Sequence, residues 1–278
     1  MAFIQMNIMS QSLMRTVPVN VILPIDKIDF PGMPKREEKP FKTLYLLHGI
    51  FGNHMDWVTG TNILRWAEER NLAVVMPAGE NGFYVDNQKA HNLYGEFIGQ
   101  ELVSLTRKMF PLSTKREDTF IAGLSMGGFG AIRNGLKYHS TFGYIAGLSA
   151  ASIMDGIEKR TNNVPFWIEG RDYAESCFGD LDKAPESDMN PKWLARRLAG
   201  TEACKPDIYL CCGTEDSLLG ANRDLSRYLS DLGYHVTYEE SAGGHEWDFW
   251  NTHLKKVLEW LPLATGADGI NSGHVGLD

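Results

Sequence analysis

Residues 119–138 most restrict how this chain can fold. An apolar run, Thr119–Leu124 (TFIAGL), enters the pentapeptide Gly123-Leu124-Ser125-Met126-Gly127 and leaves through a glycine-rich segment with helical spacing, Met126–Tyr138. An apolar run of this length suits a strand covered on both faces of a parallel sheet. A strand that passes directly into a helix at a serine must turn tightly. The flanking glycines let that turn pass close to its neighbours, and Gly128 and Gly130 extend the small-residue stretch. The serine is thereby set at a helix N-terminus, where unpaired N–H groups and the helix dipole favour negative charge. In this context G-x-S-x-G presents a hydroxyl as a nucleophile. The alternative is a turn serine with a structural role only.

The rest of the chain alternates in the same way. Phe3–Met14 and Thr16–Leu23 read as two opening strands, and the Pro-, Gly- and charge-rich stretch Pro24–Pro40 as a surface connection. Strands are expected at Thr43–Leu47, Leu72–Met76, Gly143–Leu148, Asp207–Cys212 and His235–Glu239. Helices are expected at Gly95–Phe110, Leu218–Leu232 and Trp247–Trp260. This order predicts one α/β domain over the 278 residues, a mostly parallel central sheet with helices on both faces. Residues 151–205 break the rhythm with no clean strand but several aromatics, and are expected to form a cap over the sheet's C-terminal edge. A peripheral decoration is the other reading. The Gly-rich tail from about 264 to 278 is expected to be loose or to touch a second copy, which leaves a homo-oligomer open.

A serine hydroxyl is a weak nucleophile and needs a base to take its proton and an acid to orient that base. With a G-x-S-x-G turn of this kind, the chain order is serine, acid, histidine. After Ser125, the strand DIYLCC runs into Gly213-Thr214-Glu215-Asp216, and HVTYEE runs into Ser241-Ala242-Gly243-Gly244-His245. Asp216 is the expected acid, with Glu215 as its rival and Asp248 a weaker one inside the last helix. His245 is the expected base. His139, His235 and His253 fall at element ends or on helix faces, and His274 in the tail. His48 opens the loop His48-Gly49-Ile50-Phe51-Gly52 after the strand TLYLL. A loop there can supply one backbone donor to an oxyanion, assigned to Ile50 with Phe51 as the alternative. The second donor is the N–H of Met126. His48, His54 and His91 lack metal-ligand spacing, so no metal and no cofactor is expected.

Composition removes other classes. With 27 basic against 35 acidic residues and a formal charge of −8, the chain has no positive footprint for nucleic acid or an anionic membrane. No apolar stretch is long enough to span a bilayer. The segment MAFIQMNIMSQSLMR is a poor secretory signal, so the cytoplasm is the expected location. Cys177, Cys204, Cys211 and Cys212 form no C-x-x-C and read as buried free thiols. The neighbours Cys211 and Cys212 should face opposite sides of a strand.

Together LYLLHGIFGNHMDW (44–57), VVMPAGENGFYVDN (74–87), KREDTFIAGLSMGGFGA (115–131) and GGHEWDFW (243–250) resemble the putative-esterase family of α/β hydrolases, nearest its bacterial tributyrin-esterase type. The likeness covers most of residues 5–262. It implies an α/β-hydrolase fold, a Ser125–Asp216–His245 triad, a small-molecule ester as substrate and a preference for short acyl chains. S-formylglutathione hydrolase is a more distant relative, typically reading S-G-L-T-C where this chain has HGIFG (48–52). Feruloyl and acetylxylan esterases share the broad family. The aromatics Phe51, Trp57 and Trp167, with Phe83 and Tyr84, either hold a substrate such as a phenolic acid or pack internally. An acyltransferase with the same triad and a non-catalytic binding module remain as other classes.

Overall fold

The computed structural model describes residues 1–27 and 39–264. The expected surface connection Pro24–Pro40 therefore lies largely outside the described residues, and so does all but the first residue of the tail. β1 (Ala2–Ser10) and β2 (Arg15–Leu23) form an antiparallel hairpin. The first strand stops at Ser10, short of the expected Met14. There Glu101 draws the chain into a turn, accepting from Ser10 Oγ at 2.7 Å, Gln11 N at 2.6 Å and Ser12 N at 3.0 Å.

β3 (Lys42–Leu47) is followed by two short helices that the spacing did not announce, α1 (Asp56–Gly60) and α2 (Ile63–Glu69). Then come β4 (Leu72–Pro77) and a small hairpin of β5 (Asp86–Asn87) and β6 (Asn92–Leu93). The expected helix over Gly95–Phe110 is present but interrupted. α3 (Tyr94–Glu96) passes through a π turn, Phe97–Glu101, into α4 (Leu102–Met109). β7 (Thr119–Leu124), α5 (Met126–Lys137) and β8 (Tyr144–Leu148) follow. The stretch between β8 and the next strand holds α6 (Arg171–Phe178), α7 (Pro191–Ala199) and single 3₁₀ turns, with no strand. β9 (Asp207–Gly213), α8 (Leu219–Asp231), β10 (Val236–Ser241) and α9 (Trp247–Trp260) complete the chain.

The sheet order is β1-β2-β4-β3-β7-β8-β9-β10. β2 is antiparallel to its neighbours, and from β4 to β10 every pairing is parallel. Because side chains alternate along a strand, each strand feeds two cores. Tyr45 and Ile121 belong to one core, which also holds Phe97, Leu102, Ile132 and Leu229. Leu44, Leu46 and Phe120 belong to the other core, which also holds Ile63, Trp66, Trp250 and Leu254. Each such buried side chain contributes about 1.5–3 kcal/mol. The fold is thus a mostly parallel α/β-hydrolase sheet with helices on both faces. Its parallel strands bring the segments after β3, β7, β9 and β10 to one edge.

Cys177, Cys211 and Cys212 are buried thiols as expected, but Cys204 is exposed. Among the described residues no helix is long and apolar enough to cross a membrane.

Candidate active site

The turn at Ser125 is held in shape by its neighbours. Ser125 sits at φ +54 and ψ −119, a conformation costing a non-glycine residue about 1–3 kcal/mol. Surrounding backbone holds it there. Its N–H donates to Leu148 O at 2.9 Å, and its carbonyl accepts from Phe129 N and Ala151 N, both at 3.0 Å. A Cβ on Gly123 would collide with the Gly127 carbonyl, and one on Gly127 with the carbonyls of Leu47 and His48. Both positions therefore require glycine for space.

Three side chains expected from their order in the chain meet here. Ser125 Oγ lies 2.9 Å from His245 Nε2, and His245 Nδ1 lies 2.8 Å from Asp216 Oδ2. The other Asp216 oxygen accepts from Leu218 N at 2.9 Å. Burial alone would raise the Asp216 carboxyl. Hydrogen bonds from His245, the Leu218 amide and Ser149 outweigh it and hold the group below the usual carboxylate range. An ionised carboxylate only accepts, so Nδ1 of His245 carries the proton and Nε2 is free to receive one from Ser125. The Asp216 side chain is wholly buried while that of His245 is 36% exposed, so the imidazole faces the open side.

The rivals lie elsewhere. Glu215 is exposed; it accepts from Gly243 N and from Thr214 Oγ, and so ties down the loop before His245. Asp248 lies in the first turn of α9. His48 is buried, accepts from Gly79 N at 2.8 Å through Nε2, and donates through Nδ1 to Gly49 O at 2.7 Å. Burial pushes its pKa down and keeps it neutral. Among the described residues no cluster of His, Cys, Asp and Glu is arranged to hold a metal ion.

Residues 49–52 form a turn closed by Gly52 N donating to Gly49 O at 3.2 Å, with Phe51 at φ +65 in its third position. A Cβ on Gly49 would lie 3.6 Å from Ser125 Cβ, so this turn abuts Ser125. Of the two expected donors in it, Phe51 N–H is already committed, donating to Asn81 Oδ1 at 2.8 Å. Ile50 N–H meets no acceptor among the described residues. Met126 N–H is the first of α5 and belongs to the unpaired donors of a helix start.

The aromatics divide. Phe51 and Trp167 are 59% and 56% exposed. Their rings join a chain, with Phe51 to Phe166 and Phe166 to Trp167 at 6.2 Å and Trp167 to Tyr173 at 4.9 Å. Trp57 does not belong with them. It is 1% exposed, its Nε1 donates to Leu47 O at 3.0 Å, and its ring meets Trp247 edge to face. The expectation that Trp57 contacts substrate is corrected: α1 turns it inward to pack. Phe83 and Tyr84 are likewise buried. An open cleft of about 430 Å³ lies between Ile50, Phe51, Asp56, Thr59 and Trp247. Asn81, Phe166 and Tyr173 are tied to Phe51 or to one another: Asn81 accepts from the Phe51 N–H, Phe166 meets the Phe51 ring, and Tyr173 donates to Asn81 O. The aromatic richness of 151–205 signals the latter two, but nothing in the sequence marks Asn81.

The sequence profile of the putative esterase family matches residues 10–261. An acetyl esterase from Caldicellulosiruptor saccharolyticus is 42% identical over 264 residues, covering 94% of this chain and 98% of the relative. Two solved Staphylococcus aureus structures each cover 94% of this chain and 98% of their own. S-formylglutathione hydrolase has a TM-score of 0.79 at 30% identity, and the fluorophosphonate-binding serine hydrolase F has 0.81 at 29%. With its sheet order, its Ser–His–Asp contact and a family match over nearly its whole length, this chain belongs to the putative esterase family of α/β hydrolases and is a carboxylic ester hydrolase.

Proposed function

We propose that the protein hydrolyses esters of short acyl groups, acetyl to butyryl, through an acyl-enzyme on Ser125. The observation that carries this is the unbroken hydrogen-bond line from Ser125 Oγ through His245 to Asp216, at 2.9 and 2.8 Å. Ser125 Oγ attacks the acyl carbon while His245 Nε2 takes its proton. The carbonyl oxygen becomes an oxyanion between the N–H groups of Ile50 and Met126. As the carbonyl re-forms, the alcohol leaves with the proton from His245 Nε2. Water then repeats the sequence on the acyl-enzyme, releasing the acid and restoring Ser125. Asp216 holds the imidazole in its working tautomer and stabilises the imidazolium.

Residues 151–205 act as a cap, with Phe51 and Trp167 at its rim as the contacts for the substrate's apolar part. The acetyl esterase at 42% identity supports the short acyl group. A panel of p-nitrophenyl acetate, butyrate, octanoate and palmitate tests it. Rates should climb by up to about 0.8 kcal/mol per accommodated methylene and then fall at the pocket wall. Octanoate or palmitate as best substrate would overturn it.

A second reading, hydrolysis of S-formylglutathione, is favoured by the 30% identity to the Staphylococcus aureus enzyme of that name. Comparing kcat/KM for that thioester with that for the acetate separates the two readings.

A further inference from the structure

The segment 79–84 is laced to the turn beside Ser125 at three points. Gly79 N–H donates to His48 Nε2 at 2.8 Å, Tyr84 Oη donates to His48 O at 2.9 Å, and Asn81 Oδ1 accepts from Phe51 N at 2.8 Å. The third point bears on the chemistry. Phe51 occupies the turn position whose positive φ is normally glycine's, so this turn is not the one its own residue prefers. Rotation about φ of Phe51 would relieve it, turn the Ile50–Phe51 peptide and, through the shared Ile50 Cα, loosen the adjoining Gly49–Ile50 peptide that carries the Ile50 N–H. The Asn81 side chain opposes that rotation by holding the Phe51 N–H. Asn81 is itself held from the cap, because its carbonyl accepts from Tyr173 Oη and, at 3.6 Å, from Cys177 Sγ, both on α6.

We propose that Asn81 is a positioning residue for ester hydrolysis, pinning the Phe51 amide so that the Ile50 N–H stays directed at the oxyanion, with α6 of the cap as its support. The proposal rests on the reading of Ile50 as an oxyanion donor. Asn81 touches no reacting atom. Its effect belongs to the tetrahedral state, where the donor must already be in place.

Two ketones of the same acyl shape provide the test. A trifluoromethyl ketone adds Ser125 Oγ to its carbonyl carbon and places a hemiketal oxyanion in the hole. The methyl ketone remains trigonal and reports only ground-state binding. In Asn81→Ala, kcat should fall about 10- to 100-fold, the scale of a misplaced or lost donor, with KM within about threefold. Affinity for the trifluoromethyl ketone should fall by the same factor as kcat/KM, and that for the methyl ketone should hold. Asn81→Ser, polar but too short to reach Phe51 N, is measured alongside with the same expectation, so a single variant that fails to fold decides nothing. A kcat within twofold of wild type, or equal weakening of both ketones, overturns the proposal. If wild type itself bound the two ketones alike, the oxyanion assignment would fall first, a result distinct from a selective wild type with indifferent Asn81 variants.

Discussion

The ring of Trp250 stands edge to face against the imidazole of His245, centroids 4.9 Å apart and planes at 89°. The indole N–H of the same tryptophan donates to Ser149 Oγ at 3.2 Å. An indole nitrogen can only donate, so Ser149 accepts there and keeps its own proton for the Asp216 carboxylate. One side chain of α9 thus steadies the imidazole directly and the carboxylate through a hydroxyl. Trp250→Phe keeps a ring against His245 but loses the donor, and kcat should fall about three- to tenfold with little change in melting temperature. Trp250→Ala removes both and should also cost about 3–5 kcal/mol of stability by urea titration. Unchanged kcat in the phenylalanine variant would confine Trp250 to packing.

Ser125→Ala should abolish turnover, on the order of 10⁴-fold or more in kcat, while circular dichroism stays that of the wild type. Asp216→Asn should lose a comparable factor, because the amide can donate to Nδ1 and favour the wrong imidazole tautomer. A fluorophosphonate should label the wild type at Ser125, located by peptide mapping, and leave Ser125→Ala unmodified. An adduct on another serine would redirect the assignment.

Trp57 and Trp167 should respond in opposite ways. Trp57, 1% exposed, fills the space beneath the sheet edge, so Trp57→Ala should lower stability by about 3–5 kcal/mol. Trp167, 56% exposed, packs at the surface against Phe166 and Tyr173, so Trp167→Ala should leave the melting temperature within a degree or two and raise KM for bulky esters. A KM effect from Trp57 at unchanged stability would reverse the two roles.

His253 gives a pH dependence with a definite sign. It is fully buried, stacked on Phe249 at 4.1 Å and bonded through Nε2 to Ser241 Oγ at 2.8 Å. Burial, and then the nearby Lys256 ammonium, push its pKa down to about 4, although Glu239 pulls the other way. In the unfolded chain an imidazole titrates near ~6.5, so acid favours unfolding. The neutral ring's stabilisation is complete above pH ~6.5 and is lost as pH falls toward 4, up to about 3 kcal/mol in all. Buried His48 is shifted the same way and adds to this slope. His253→Gln should flatten urea-derived stability between pH 7 and 4.5. Equal slopes in variant and wild type would count against this account.

The strands were legible because a strand covered on both faces is a short unbroken apolar run, as in Thr119–Leu124. The final helix, with its long period, was read to its observed ends at Trp247 and Trp260. What escaped depended on partners distant in the chain. The first strand ends where Glu101 captures residues 10–12, a contact across about ninety positions. Five residues of α1 are too few to display a period, so the inward turn of Trp57 was hidden. Asp216 and Glu215 are adjacent acids of similar chemistry. Only the fold shows one facing His245 and the other facing Gly243. Asn81 is a polar loop residue with no motif, and its importance lies wholly in what it touches.

β7, which delivers Ser125, lies within the sheet and is buried along its whole length, whereas β10, which delivers the His245 loop, is half-buried throughout and, among the described residues, an edge strand paired on one side only. The two therefore open at different free-energy cost, since local unfolding starts where few contacts resist it. Amide hydrogens of β10 and of the loop that follows should exchange with deuterium well before those of β7. A sample warmed to just below its melting transition should then lose turnover while its far-ultraviolet spectrum is unchanged, and should regain it on cooling. The working temperature ceiling of this enzyme should then be set by the fraying of β10, and grafting a further strand onto its open edge should raise it.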